Sequence, residues 1–318
     1  MIVYRKLDEI ESKLPNAVVT IGNFDGVHLG HREIFRRVRK TAEDLGGASV
    51  VISFIPHPLK LLPSRKKLQL ITTYAEKESL IAGSGIDYLV IIPFTVEFAS
   101  ITASEFVRKV LVGQVGMKKL IIGYDYAFGR NREGNVGLLR QLGADLGFDV
   151  EVLAPIGDGE TVYSSTRIRE MIHHGEVGGV VSLLGRHFSL DGKVVHGHHR
   201  GKGLGFPTAN LETGNELIPK SGVYAVKADV EGTVYDGACN IGSNPTFGDE
   251  YTSIEVFLFD FQGDLYGHDL RLFFVERIRG ERRFPSVEAL QEAIRSDVAK
   301  CREMLRKTLI MNYHEPSE

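Results

Sequence analysis

Five short runs in the first half of the chain are apolar without interruption: Ala17 to Ile21, Ala48 to Phe54, Tyr88 to Pro93, Leu120 to Ile122 and Val150 to Leu153. A strand with one wet face alternates apolar and polar residues. Continuous Val/Ile/Leu runs instead suit strands covered on both faces, as in a parallel sheet. Helical patterns lie between the runs. Ile34, Phe35, Val38, Ala42 and Leu45 share one helical face, and Gly46-Gly47 supplies a stop. Thr102-Ala-Ser-Glu105 ahead of Phe106-Val-Arg-Lys-Val-Leu111 reads as a capping box. Strands alternating with helices over about 155 residues predict a doubly wound α/β parallel sheet of Rossmann-like type.

The pattern changes near residue 185. Helical stretches from Arg167 to His173 and from Val177 to Leu184 form a connection. Beyond them come β-type runs with the turn candidates Glu231-Gly232 and Gln262-Gly263. Two-residue turns join antiparallel neighbours, because a parallel crossover needs a dozen or more residues. A small antiparallel β-barrel or sandwich is therefore expected from residue 186. A helix closes it, with Ser286 as N-cap and an apolar stripe of Val287, Leu290, Ile294, Val298, Cys301 and Leu305. The expected organisation is a first domain over 1–185 that includes the connecting helices, a second over 186–308, and a polar tail over 309–318.

Composition narrows the class. The chain has 318 residues, 43% of them hydrophobic and 25% charged, which is globular rather than disordered or fibrous. A net charge of −3 provides no basic surplus, so neither nucleic acid nor an anionic membrane is expected as a partner. The longest apolar run, Tyr88 to Phe94, is far short of the ~20 residues that span a bilayer. The charged first residues lack the apolar stretch of a signal peptide. Two cysteines, Cys239 and Cys301, make no disulfide framework. These features describe a cytoplasmic protein, monomeric or weakly self-associating.

Candidate chemistry begins at Thr20-Ile-Gly22-Asn23-Phe-Asp-Gly-Val-His28-Leu-Gly30-His31, which follows the first strand and enters the first helix. Unpaired N–H groups and the positive dipole end favour a phosphate there. The dipole contributes ~0.3–1 kcal/mol. A donor aimed at developing charge contributes ~2.7–4 kcal/mol, so the two imidazoles should outweigh it. The competing reading is a pair of surface histidines on an amphipathic helix. A second cluster is Gly197-His-His-Arg-Gly201-Lys202-Gly203-Leu-Gly205-Phe-Pro-Thr208-Ala-Asn210, glycine-dense and basic as a loop wrapping polyphosphate would be. It lacks the spacing of a Walker A loop, and a flexible surface loop is the alternative. Thr208 and Asn210 offer hard oxygen ligands of the kind Mg²⁺ accepts. Period two places Glu255 on the face of Phe257 and Phe259. A carboxylate among aromatic rings suits a general base, whereas a solvated rim glutamate is the plainer reading.

His-x-Gly-His after a first strand resembles the nucleotidyltransferase superfamily. Its second motif is matched by Ser164-Ser165-Thr166-Arg-Ile-Arg169. Both halves together resemble the bacterial bifunctional riboflavin kinase/FMN adenylyltransferase family, with matching motifs to about residue 308. Beyond those already quoted they include Ser53-Phe54-Ile-Pro-His-Pro58, Gly123-Tyr-Asp125-Tyr126-Ala-Phe128-Gly129, Asn240-Ile-Gly-Ser-Asn-Pro-Thr-Phe-Gly248 and Arg279-Gly-Glu-Arg-Arg-Phe284.

The resemblance implies two successive transfers. In the second domain the 5′-hydroxyl of riboflavin attacks the γ-phosphate of ATP, giving FMN. Glu255 would be the base, Thr208 and Asn210 would hold Mg²⁺, and Gly197, Gly201, Lys202, Gly203 and Gly205 would cradle the phosphates. In the first domain the FMN phosphate attacks the α-phosphate of a second ATP, giving FAD and pyrophosphate. His28 and His31 would stabilise the growing charge, while Gly22, Asn23, Ser164, Ser165, Thr166 and Arg169 would bind the nucleotide. Phe54, Asp125, Tyr126, Phe128 and Arg279 are the expected flavin contacts. Two departures from the family pattern are Tyr126 for the usual Phe and Phe257 where many relatives carry His. A stand-alone nucleotidyltransferase with an inert barrel, an aminoacyl-tRNA synthetase relative and a flavin-sensing protein are the competing readings. The charge of −3 disfavours the tRNA enzyme. Thr208, Asn210 and Glu255 together disfavour a mere flavin holder.

Overall fold

A computed structural model describes residues 1–61, 68–159, 161–196, 205–244 and 251–311. The chain divides into two compact units, one over residues 1–69 and 74–164 and one over 70–73 and 165–311 among the described residues.

The first unit is built on six parallel strands: β1 (Ile2–Tyr4), β2 (Ala17–Ile21), β3 (Ser49–Ile55), β4 (Tyr88–Pro93), β5 (Met117–Gly123) and β6 (Asp149–Leu153), in the order β1-β4-β3-β2-β5-β6. All five expected strands are present. The sixth, β1, is a three-residue edge strand alongside β4, too short to carry a periodicity of its own. Burial explains the continuous apolar runs. On one face Val19, Val50, Val90 and Leu120 enter the core, and on the other Val18, Val51, Leu89 and Ile121 are equally inaccessible. The helices are α1 (Leu29–Asp44), α2 (Tyr74–Ala82), a short α3 (Val96–Ala99), α4 (Ala103–Glu105), which runs into a π-helical stretch Phe106–Val115, and α5 (Val136–Leu146). The capping box at Thr102 and Glu105 forms with both reciprocal bonds. Leu45 departs from its expected place. It is the C-cap of α1 and lies exposed, because the helix has ended before Leu45 could turn inward.

The second unit contains α6 (Ser165–His174), α7 (Val181–Leu184) and a closed antiparallel barrel. The connecting helices pack within this unit, as where the Lys220 N–H meets the Ile172 carbonyl. The barrel strands are β7 (Phe188–Val195), β8 (Ala209–Thr213), β9 (Gly222–Val230), β10 (Thr233–Asn244), β11 (Tyr251–Leu258) and β12 (Asp269–Arg279), in the order β10-β11-β8-β7-β12-β9. Glu231 (φ 52°) and Gly232 (φ 88°) make the two-residue hairpin between β9 and β10, both with positive φ as a type I′ turn requires. Gln262-Gly263 does not act this way. It lies in the longer connection from β11 to β12, which are not neighbours: β11 pairs with β10 and β8, and β12 with β7 and β9. A composition signal for a turn carries no information about which strands that turn joins.

The closing helix is α8 (Val287–Leu305), whose N-cap Ser286 accepts a bond from the Ala289 N–H. Cys301 and Leu305 are its fully buried anchors against Ala225, Phe259 and Val275. Val287, at the outer end of the expected stripe, is exposed.

Candidate active sites

The first site is made where β2 ends. The buried strand leads into Gly22, and the chain then turns through Phe24 (φ 49°), Gly26 (φ 81°) and Val27 (φ 39°) before α1 starts. His28 is the N-cap of α1, and its Nδ1 accepts from the His31 N–H at 3.4 Å. In a neutral ring this leaves the proton on Nε2, so that edge is a donor. The two imidazoles stack with centroids 3.6 Å apart and planes 21° from parallel. Phe24 braces the second ring edge-on at 5.2 Å and itself rests on Phe35. Gly30 leaves room for the stack, since a Cβ there would lie 3.1 Å from the His28 ring.

The electrostatics favour a neutral His31 ring. Burial holds His31 well below the ordinary imidazole value, and His28 and Lys77 push in the same direction. His31 Nδ1 is buried without a hydrogen-bond partner among the described residues. A buried imidazole nitrogen with nothing to bond is an unfilled capacity of the kind a ligand completes. Lys77 stands behind the loop, buried, donating to the Ser53 hydroxyl at 2.9 Å and the Asn23 carbonyl at 3.2 Å. The sequence reading gave neither Lys77 nor Ser53 a role, although a lysine three and four residues before Leu80 and Ile81 on an apolar helix face is a readable signal.

The expected flavin contacts of this half fall on one run of rings. Phe54, at the end of β3, meets Phe94 at 5.5 Å and Phe98 at 6.1 Å. Phe98 meets Phe106, Phe106 meets Phe128, and Tyr126 stacks on Phe128 at 5.4 Å. Phe94, Phe98 and Phe106 were missed because single aromatics in apolar stretches look like any core residue. Burial raises the Tyr126 phenol, so its extra hydroxyl stays protonated. Asp125 is exposed beside this group. Ser164 closes the first unit. Ser165, Thr166 and Arg169 stand on α6 of the second unit, Thr166 exposed and Arg169 half-buried.

The second site is a matter of strand register. Asn210 on β8 lies opposite Glu255 on β11, which lies opposite Asn240 on β10. Opposed residues on antiparallel strands place their side chains on one face within contact distance. The Thr208 hydroxyl, just ahead of β8, lies 3.4 Å from Glu255 Oε2 as donor. Two positions along, Phe257 shares this face and packs against Phe206 at 5.6 Å and Phe259 at 5.6 Å. Its ring thus extends the apolar cluster under α8. Asn240 belonged to a family motif but received no role from sequence reasoning, and register is what brings it to Glu255. Arg279 has its own partner on α8: its guanidinium forks onto the buried Asp297, with Nε 2.9 Å and Nη2 2.8 Å from Oδ2, and it also bonds the Gly280 carbonyl. Gly205 has a positive φ of 86° and open space where a Cβ would be. Gly197, Gly201, Lys202 and Gly203 lie outside the described residues.

Comparison with known proteins settles what these two units are. The family model described as FAD synthetase matches residues 10–167, and the one described as riboflavin kinase matches residues 184–305. A bifunctional riboflavin kinase/FMN adenylyltransferase from Pseudomonas fluorescens is 38% identical over 305 residues, covering 95% of this chain and 97% of its own. The chain belongs to the bifunctional riboflavin kinase/FMN adenylyltransferase family. It is a transferase with two activities in order along the chain, FAD formation in the first module and riboflavin phosphorylation in the second, with flavins and ATP as substrates. A relative of the same description from Escherichia coli strain K12 is 36% identical over 292 residues, with 92% of this chain and 93% of that one covered. Among solved structures, one described as a macrolide-efflux protein from Streptococcus pneumoniae shares the fold with a TM-score of 0.86 and 33% identity, covering 95% and 98% of the two chains. No helix among the described residues of the present chain is long and apolar enough to cross a membrane.

Proposed function

We propose that the stacked histidines and the Asn210–Glu255–Asn240 row are the two catalytic centres. In the adenylyltransferase module the FMN phosphate oxygen attacks the α-phosphorus of ATP and pyrophosphate leaves. His28 and His31 donate N–H bonds to the phosphate oxygens on which charge grows, His31 as a neutral donor rather than as a cation. Donors already aimed at such oxygens supply much of the rate enhancement in reactions of this kind, since nothing has to reorient as the charge develops. The observation that carries this assignment is the buried His31 Nδ1 without a partner, in a ring pair already held at a helix start. Gly22 and Asn23 approach the nucleotide through their backbone. Ser164, Ser165, Thr166 and Arg169 are phosphate ligands by residue type: Arg forks across two oxygens as Lys does not. Phe54, Tyr126 and Phe128 offer flat faces to the flavin, with Asp125 at the edge.

In the kinase module Glu255 accepts the proton of the riboflavin 5′-hydroxyl as its oxygen attacks the γ-phosphorus, and ADP departs. The Thr208 hydroxyl pointing at Glu255, with Asn210 directly across, supports this assignment. Thr208 and Asn210 are neutral hard oxygen donors, and such a sparse set suits Mg²⁺, which keeps several waters and shares phosphate oxygens. When bound, the ion supplies charge neutralisation of the phosphates. The Arg279–Asp297 fork supports a structural part for Arg279 beside its expected place near the flavin. Both cysteines are free and buried, which supports a cytoplasmic setting; a monomer or weak homo-oligomer fits the same picture.

The test is incubation of the purified protein with riboflavin and Mg-ATP, followed by chromatographic separation of the flavins. FMN and then FAD are expected. FAD formed only when FMN is supplied would overturn the kinase assignment, and FMN without FAD would overturn the other.

A further inference from the structure

Lys77 lies on the face of α2 that also carries Tyr74, Leu80 and Ile81, and only 7% of it is exposed. A buried ammonium is costly unless it is paired and hydrogen-bonded, so its partners are what permit it. They converge on Asn23 of the first site and on the strand and loop beside it. Nζ donates to Ser53 Oγ at 2.9 Å and to the Asn23 carbonyl at 3.2 Å, and Ser53 Oγ donates to the same carbonyl at 3.3 Å. The Asp25 carboxylate favours its charged form. The Tyr74 ring lies 5.4 Å from Nζ.

Asn23 and Asp25 flank Phe24, the first of the positive-φ residues that turn the chain toward His28. Non-glycine residues resist that region, so Phe24 and Val27 keep such a shape only if something outside the loop holds them there. Lys77 reaches the loop from α2, a separate element, and is placed to do so.

We propose that Lys77 is a positioning residue for adenylyl transfer: its charged amine ties the Asn23 carbonyl to Ser53 of β3, attracts the Asp25 carboxylate, and thereby fixes the stacked pair His28 and His31. This rests on the assignment of that pair to the adenylyltransferase centre. The titratable groups facing Lys77 are Asp25 and His31 from the loop and α1, with His28 stacked on the latter, and Tyr74 from α2; β3 contributes the neutral Ser53. Burial draws the Lys77 amine down to about 8, opposed by Asp25. As pH rises through that value the tie loses its charge, and FAD formation falls while riboflavin phosphorylation in the same molecule does not.

The experiment measures kcat and KM for FAD formation from FMN and Mg-ATP between about pH 6.5 and 9.5, a range that brackets the amine's titration. It uses the full chain and its Lys77→Met, Asp25→Asn and His28→Ala variants, each also assayed for FMN formation. Lys77→Met is expected to lower kcat for FAD by about 10²-fold, the cost of a misplaced catalytic group, with KM for ATP far less affected. The alkaline fall should be absent from its profile. Asp25→Asn removes the group that raises the amine, so the alkaline fall should move to lower pH. This readout stands even where Lys77→Met fails to fold. A folded Lys77→Met with wild-type kcat, or an Asp25→Asn profile superposing on the wild type, overturns the proposal while His28→Ala remains inactive in FAD formation. A His28→Ala variant that still makes FAD overturns the site assignment, and the positioning role with it.

Discussion

In the first unit the chemistry sits on one short stretch between a strand and a helix, while in the second it is gathered from β8, β10 and β11, far apart along the chain. The local site is strained: a turn with positive φ at Phe24, Gly26 and Val27 delivers His28 and His31 already stacked. Its weakness is that a short loop cannot hold itself, and a lysine from elsewhere secures it. The register site needs no unusual backbone. Its weakness is the barrel, because slipping β11 by one residue would send Glu255 to the opposite face. A loop site is therefore vulnerable to the loss of its brace, and a register site to the loss of its sheet.

The largest expected effects test whether the two sites are independent. His28→Ala should lower FAD formation by about 10²–10³-fold, the value of one oriented donor, and leave FMN formation intact. Glu255→Ala should do the reverse. Both are read by chromatography of the flavins, and either variant losing both activities while folded breaks the separation. Next in size is Arg279→Ala. It strands the Asp297 carboxylate, which is 4% exposed, and removing one partner of a buried pair costs about 3 kcal/mol or more. Denaturant unfolding should show the second unit destabilised and FAD formation from supplied FMN preserved; an unchanged midpoint would mean the fork contributes nothing.

The smallest effect concerns pH. His31 is held below its ordinary value of 6.5 in the folded unit, so the unfolded chain binds its proton first as pH falls. Stability from this residue is then present above that pH and is lost progressively as pH drops below it, at about 1.4 kcal/mol per unit of separation. His31→Gln lacks this dependence. The difference in unfolding free energy between wild type and variant should narrow from about pH 7 to about pH 5, across the ordinary imidazole range, and a constant difference would show that His31 is not held neutral.

Much of the architecture was legible beforehand where local patterns decide it. The buried runs, the capping box at Thr102, the cap at Ser286 and the strand–loop–helix around His28 each depend on residues within a turn or two of one another. The hairpin at Glu231-Gly232 was readable for the same reason, since both residues must accept positive φ. Gln262-Gly263 carried a similar signal and joined no neighbours, because the pairing of β11 with β8 is settled by barrel closure. Arg279 reads as a flavin contact, and only the folded chain adds its second partner, Asp297 on a helix packed against the barrel. Phe94, Phe98 and Phe106 were indistinguishable from core until their rings were seen in line with Phe54 and Phe128.

From residue order alone came the fold class of each half and the two phosphate-binding motifs, because hydrophobic period, capping and a helix-start phosphate site are short-range effects; the flavin chemistry came from the resemblance those motifs carry. The tertiary structure alone decided that His31 is neutral with a bare nitrogen, that Lys77 underlies its loop, and that Asn240 faces Glu255. Desolvation and cross-strand opposition depend on distance in space, and no spacing along a chain encodes that before the chain has folded.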